Sequence, residues 1–554
     1  VPHSVTSDKI VGFWTVPYAG VVRDVSIYEV PSDGLWDSAN MVPRDGQLVT
    51  RPGPQQYAPN DLLARPTAGL WSPVVFGPAF QADAFQNDAF QTQLVEALMI
   101  VATQQGLFYL DPTTLSWINV MPTAGDVFQG DAFQADMVQG SAKKKLSTHY
   151  IGRFAQIQAG TPPTIYTVFV NGVDDAVLWD MALPEASQTR FSIPPRWTDV
   201  IAVADRFVGI TPPYDVSWTE DVSSPAGLFS TPALNHKSLG ETPDPVVAIS
   251  PSGFLAFTVY KKNRIWTAVA TGLPGGSAFR FSDRGAYAGP ASPAAVVQVN
   301  GLDVRMTRTG RVGLWNGQQN LYPFDAAWRS VQSGTTLLAA LDQQYASRIF
   351  GVYHEDFNEV WFHYPMVGDG GLLHGLFIVT LPDVTDPNAR IGGFPGRLGI
   401  PVSAGCDRAA TDSLTHLFRD TAGQNIAMLV ELSDRDLNLP IEYAWQQGLT
   451  PAPGSEAYRL DGHETFIERH VGFGSLAVQV MSSYHLDAPD GTPGTFATLN
   501  LETRPLPKEE KGGDVRGRFF GLKYSGNTAI GTPKWMGARL AARLVELAPP
   551  PVRR

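Results

Sequence analysis

Hydrophobic positions along the chain come in short bursts of β-branched and aromatic side chains closed off by Gly, Pro, Asn or Asp. Such bursts cover residues 98–103, 165–170, 200–210, 254–260, 296–299, 349–353 and 360–364. Bursts of that length with turn residues at both ends predict strands in an all-β chain. Helical spacing is scarce. It is clearest over residues 326–344, where Trp328, Val331, Leu337, Leu338 and Leu341 recur at near-helical intervals interrupted by Gly334. Residues 536–547 fit a helix by i, i+4 spacing and equally a strand by alternation, and the choice stays open with strand preferred.

Several bursts share a pattern in which a strand, a tight turn and a second strand lead to an aromatic residue before a polar loop. Residues 105–111 lead to Trp117, 205–210 to Trp218, 253–255 to Trp266, and 309–317 contain Trp315. Units of roughly 40–50 residues built this way suit propeller blades, each burying its aromatic face against the next. The expected fold is therefore all-β and β-propeller-like, with inserted loops and an additional β-rich region formed by the terminal segments. The expected division is 1–60 as N-terminal strands and lead-in, 61–435 as the propeller-like domain, and 436–554 as a C-terminal β-rich region that closes the ring. Phe108, Trp117, Phe207, Trp218, Trp266, Trp315, Trp361 and Phe362 are the expected blade-core residues.

One repeat stands apart. Ala79-Phe80-Gln81-Ala82-Asp83 is followed by Ala84-Phe85-Gln86-Asn87-Asp88 and Ala89-Phe90-Gln91, and a second array runs from Val127-Phe128-Gln129-Gly130-Asp131 to Ala132-Phe133-Gln134-Ala135-Asp136. A five-residue period turns successive rings to opposite faces of a flat strand. The arrays read as subunit-contact ribbons or as solvated insertions with partly buried rings. Lys143-Lys144-Lys145, just after them, reads as a solvated turn.

Composition narrows the function classes. Charged residues make up 17% of the 554, below the roughly 25% of ordinary soluble domains, while 53 glycines and 44 prolines suit many tight turns. A net charge of −12 argues against a general nucleic-acid binder, which needs a basic excess to neutralise phosphates. The single cysteine, Cys406, allows no intramolecular disulfide and no multi-cysteine zinc site, and reads as a small buried apolar residue. No apolar run reaches the ~18 residues of a bilayer span. Val1 to Val5 show no basic stretch before an apolar core, so a soluble chain without a secretory leader is expected. There is no Asn-x-Ser/Thr acceptor site for glycans.

No phosphate loop, zinc motif, nucleophile elbow or Asp-rich calcium loop occurs. The densest polar constellation runs from His354 through Glu355, Asp356, Asn358 and Glu359 to Trp361 and His363. Two histidines and three carboxylates can serve as ligands or as acid and base. As a hairpin, however, Glu355 to Asn358 form a solvated turn and Val360 to Tyr364 a strand, with Glu359, Trp361 and His363 on one face and Val360, Phe362 and Tyr364 on the other. Asp461-Gly462-His463-Glu464 reads as a turn entering the strand at Phe466. Trp179-Asp180 resembles the dipeptide of WD repeats in a single copy. These patterns assign no catalytic, cofactor-binding or metal-ligating residue and no cofactor.

Two stretches carry a family likeness. Residues 40–54 contain Arg44-Asp45-Gly46 and Arg51-Pro52-Gly53, where Gly46 and Gly53 permit tight turns and Pro52 disfavours a helix. Residues 281–365 pass from Gly285–Pro293 through paired strands ending in Trp315-Asn316-Gly317 to Asn358-Glu359-Val360-Trp361-Phe362-His363-Tyr364-Pro365. Arg206-Phe207-Val208-Gly209 with Val216-Ser217-Trp218, and more weakly residues 517–523, add to the series. In this order the features resemble the tail tube and nozzle proteins of short-tailed, podovirus-like bacteriophages, over residues 40–365.

The resemblance implies a non-enzymatic structural protein of the virion tail, assembled in the bacterial host cytoplasm. It would form a homo-oligomeric ring, expected to be a hexamer, below the portal-adaptor proteins at the head-to-tail connector. Such a ring extends and closes the DNA-ejection channel, lets genomic DNA pass through its lumen without specific binding, and supports tail fibres or spikes. The acidic balance suits a lumen that repels phosphates. The rival classes are a propeller-fold polysaccharide hydrolase or lyase of the virion, which needs two convergent carboxylates in a cleft, and a protein-binding propeller hub.

Overall fold

The computed structural model describes residues 10–22, 29–57, 62, 65–75, 94–111, 114–121, 146, 152–159, 164–181, 195–221, 230–272, 278–321, 341–381, 391–407, 415–420, 427–433, 435–451, 458–468, 475–483, 492–500, 508–511, 516–517, 519–528 and 534–544. Both pentad arrays, the lysine run and most of the expected helix over 326–344 lie outside them. Among the described residues the helices are short 3-10 turns at Pro293–Ala295, Gln343–Arg348 and Glu355–Phe357, and everything else regular is strand. The chain is all-β. Residues 534–544 are a strand, as the alternation indicates.

Local chemistry makes the hairpins. Asp45-Gly46, Ala204-Asp205 and Asn300-Gly301 each put two consecutive residues at positive φ, between strands that pair immediately on either side. Two-residue turns of this hand match the right-handed twist of the flanking strands, which is why they set the register of a hairpin.

Among the described residues, seven antiparallel meanders follow one another and close in a cycle, a propeller-like arrangement. The first consists of Pro66–Val75, Leu94–Thr103, Gly106–Leu110 and Trp117–Asn119, and the second of Arg153–Ala159, Thr164–Val170 and Val177–Asp180. The third runs from Val200–Val203 to His236–Ser238, the fourth from Val246–Pro251 to Phe279–Gly285, and the fifth from Val296–Val299 to Asn320–Leu321. The sixth begins with Phe350–His354, Glu359–Tyr364 and Leu373–Thr380. Its outer strand, Gly392–Asp407, continues without a break past a bulge near Val402 to become the inner strand of the seventh, pairing with Thr415–Arg419. The leading strand of each blade packs on that of the next, and the end of Gly392–Asp407 packs on Pro66–Val75 to close the cycle.

The core is divided in the same way. Separate apolar clusters lie between blades one and two, two and three, three and four, five and six, and seven and one, and two residues of blade five, Val296 and Trp315, join a further cluster with blade four. Phe207, Trp218, Trp266, Trp315 and Phe362 are buried at these contacts, and Trp361 is buried in a further cluster. Phe108 and Trp117 are instead half-buried against the cluster between blades seven and one.

The seventh blade takes its fourth strand from far upstream. Gly53–Gln56 pairs antiparallel with Ala427–Ser433, so a segment of the first 60 residues completes the cycle. The C-terminal strands do something else: with the N-terminal ones they build two further sheets. One holds Ile10–Trp14, Met41–Arg44, Gln47–Thr50, Tyr458–Glu468, Lys508–Lys511, Arg516–Gly517 and Lys534–Leu544; the other holds Asp37–Ala39, Glu442–Gln446, Thr450–Pro451, Ser475–Ser483, Thr492–Asn500 and Phe519–Asn527. Trp445 stacks on Tyr524 with ring centroids 4.5 Å apart, and Trp535 meets Trp445 edge-on. These rings share one apolar cluster with Trp361, Phe394 and Leu417 of the last two blades, which fixes the terminal sheets to the propeller.

Two turn expectations are corrected. Asp461-Gly462 is a bulge within the continuous strand Tyr458–Glu468, since a glycine in a paired strand accommodates an extra residue as readily as it makes a turn. Gly53 likewise opens a strand, and its role is close approach: a Cβ there would stand 2.0 Å from the Arg435 carbonyl oxygen. A backbone atom cannot swing aside as a side chain can. Gly53→Ala is therefore expected to cost at least the roughly 1–3 kcal/mol of core overpacking and to expose the last blade. Thermal unfolding and limited proteolysis between residues 427 and 433 measure both effects.

Candidate functional site

The constellation from His354 to Tyr364 folds as the hairpin its pattern indicates. Phe350–His354 ends in the 3-10 turn Glu355–Phe357, Asn358 takes the left-handed conformation, and Glu359–Tyr364 returns. Glu355 and Asp356 are exposed on the turn. Every residue of the returning strand is buried, with Trp361 on the face toward the terminal sheets and Val360, Phe362 and Tyr364 on the face toward the fifth blade.

Glu359 is spoken for. Arg44 donates from Nε to Oε1 at 3.1 Å and from Nη2 to Oε2 at 2.8 Å, and the Trp361 indole N–H donates to Oε2 at 2.8 Å. The Arg44 guanidinium also lies 3.5 Å from the centre of the Phe357 ring. A carboxylate held by three donors is a structural acceptor. His354 and His363 are buried beside it, and burial pushes them down to about 4 and about 3, with Arg44 and Arg51 adding to the effect. They are neutral rings at neutral pH. The constellation is a joint, and sequence reading missed the joint because Arg44 comes from 315 positions away.

A second joint lies alongside, at a residue quoted in the sequence only for its turn. Arg51 is fully buried and donates from Nε to Asn40 Oδ1, from Nη1 to the Pro52 carbonyl and Asp436 Oδ1, and from Nη2 to Asp436 Oδ2 and the Arg397 carbonyl. Asp436 Oδ2 also accepts the Gly399 N–H, and Asn40 Oδ1 the Arg397 N–H. The Asn40 amide donates to the Glu442 carbonyl, which brings in the second terminal sheet.

Polar staples join the blades to one another. Asp199 accepts from Arg153 of the second blade and from the Ile249 N–H of the fourth, and burial raises its pKa against the pull of that arginine. Asp303 of the fifth accepts from Ser250 and Tyr260 of the fourth, and the Trp315 indole donates to Thr258. Arg65 and Asp420 pair across the closing contact at 2.8 Å. Cys406 is buried, as its sequence reading has it.

At the hub, a cavity of about 240 Å³ is bounded by the leading strands of blades one, two, five and six and by residues 403–406. Among the described residues its charged lining is Arg153 and Arg348, with no carboxylate. No group of three or more His, Cys, Asp or Glu among the described residues could hold a metal ion. No helix of the described residues is long and apolar enough to cross a membrane.

No family model and no curated protein matches the chain. Two solved structures are similar at 10% identity and a TM-score of 0.35: the computationally designed Ika8 protein, over 71% of this chain and 95% of that one, and a chain of the Mitotic Checkpoint Complex, over 68% and 97%.

Two outcomes follow from the polar groups. Arg51→Met leaves Asp436 buried without its partner and is expected to cost about 3–5 kcal/mol in urea unfolding, whereas Arg51→Met with Asp436→Leu recovers most of the loss. Asp303 is held up at about 6, chiefly by burial. Its folded value exceeds the unfolded one of about 4, so its contribution is complete below that pH and falls by about 3 kcal/mol as pH rises through 6. Asp303→Asn is expected to flatten that slope in urea titrations between about pH 4 and pH 7.

Proposed function

We propose that this chain is a structural subunit of a short-tailed phage tail, a nozzle or tube ring below the portal adaptor that extends and closes the DNA-ejection channel. The observation that carries the reading is that residues 40–54, one of the two stretches with the family likeness, are the segment whose Asn40, Arg44, Arg51 and Gly53 tie the propeller to the terminal sheets. The second stretch, residues 281–365, supplies buried Trp315 and Trp361 to consecutive blades. A protein whose work is to be a stiff wall under pressure needs that kind of rigidity. Glu359 in the hairpin and the buried carboxylates between blades serve as acceptors in joints, which favours scaffold over catalyst.

In this reading the subunits form a ring, a hexamer, that contacts adaptor proteins above and fibres or spikes at its side. The net charge of −12 keeps DNA sliding in a lumen that does not bind it. Electron microscopy of the purified chain mixed with portal and adaptor is expected to give a six-fold ring with an electronegative lumen. A monomer under those conditions that depolymerises capsular polysaccharide overturns the reading in favour of a hydrolase or lyase.

A further inference from the structure

Where the propeller meets the terminal sheets, two imidazoles are shut in with nothing to bond. His354 ends one strand and His363 lies in the next; both are buried, and their four ring nitrogens meet no hydrogen-bond partner among the described residues. Their neighbours are rings. Phe350 stacks on His363 at 4.8 Å, Phe357 lies 4.7 Å from His354, and Trp361 sits 5.9 and 6.5 Å from the two histidines.

The charged groups around them belong to the joints already described. Arg44 faces His354 from the N-terminal hairpin, with Glu359 and Asp356 from its own hairpin; Arg51, bound to Asp436, faces His363. The adjoining strands add His374, whose Nδ1 meets the Leu398 carbonyl, and Arg397, whose guanidinium pairs with Asp369 near the surface.

A neutral imidazole leaves one N–H and one acceptor nitrogen unmet here but carries no charge. A protonated one would bring two N–H donors without acceptors and a positive charge against arginines already committed to their carboxylates, a burial that costs several kcal/mol and is relieved only by water. Water enters when the two surfaces part.

We propose that His354 and His363 form an acid-sensitive latch, whose protonation releases the terminal sheets from the sixth and seventh blades while the third to fifth blades stay closed. The sign agrees with the burial of the rings. Their folded-state values, about 4 and about 3, lie below the unfolded value near 6.5, so the stability they permit is complete above that value and is lost as pH falls toward 4. The distant blades respond differently. Burial holds the carboxyl of Asp303 at about 6 and raises that of Asp199, so acid does not set a new uncompensated carboxylate among the third to fifth blades as it sets an imidazolium in the latch. The latch depends on these contacts alone and on no assignment of function.

Hydrogen exchange of the full chain at about pH 8 and about pH 5, corrected for intrinsic rates, tests it. Exchange is expected to accelerate about tenfold or more at the lower pH in Met41–Arg44, Gln47–Thr50, Phe350–His354 and Glu442–Gln446, and not to accelerate in Val200–Val203, Val246–Pro251 and Ala256–Lys261. The variant H354F/H363F, which keeps a flat ring at both sites, is expected to lose the acid response while matching the parent at pH 8. Equal acceleration in every blade, or an undiminished response in the double variant, overturns the latch. Should the double variant not fold, H354F and H363F singly meet the same demand, each reducing the response.

Discussion

A guanidinium wholly removed from water is costly to keep unless its five N–H donors are met, and at Arg51 all five are. The acceptors come from Asn40, Pro52, Arg397 and Asp436, so one side chain fixes the N-terminal hairpin, the strand shared by the sixth and seventh blades, and the link to the C-terminal sheets. Such a pair adds little net stability over apolar residues of the same shape, because desolvation offsets most of the attraction. What it adds is geometry. Its carboxylate and carbonyl acceptors converge in one arrangement of the three segments, and any other arrangement leaves a buried charge bare. Closure of the propeller follows from this, since Gly53, which opens the closing strand, lies two residues beyond Arg51.

The rest of the wall repeats a simpler solution. Between most pairs of neighbouring blades an apolar cluster supplies the burial, and polar staples such as Arg153 to Asp199, Tyr260 to Asp303 and Arg65 to Asp420 fix the orientation. Hydrophobic contact alone is non-directional and would let two twisted sheets slide. A hydrogen bond to a buried carboxylate is directional, and its loss is expensive. Each joint is therefore tolerant in composition and strict in position. That combination suits a scaffold, in which neighbours must meet at fixed angles.

The hairpin from His354 to Tyr364 shows how one pattern carries two readings. Its residue types are those of an acid and base pair or a metal site, and its alternation is that of a strand. Alternation prevailed in the fold: Trp361 turns to the terminal sheets, Phe362 to the fifth blade, and the exposed carboxylates are those of the turn. The role of Glu359 was illegible, because it is set by Arg44 and by burial, and neither is a local property.

By itself the sequence determined what is local. Short β-rich bursts fixed the strands, Asp45-Gly46 and Asn300-Gly301 fixed hairpins and so register, and aromatic residues at strand ends fixed which faces would be buried, because the backbone conformations and side-chain periods involved span only a few residues. Only the tertiary structure decided that there are seven meanders, that one strand serves two of them, that residues 53–56 close the cycle, and that Arg51 meets a carboxylate 385 positions away. Those facts depend on which distant surfaces come into register, and a pattern that fits many partners along the chain names none of them until the chain has folded.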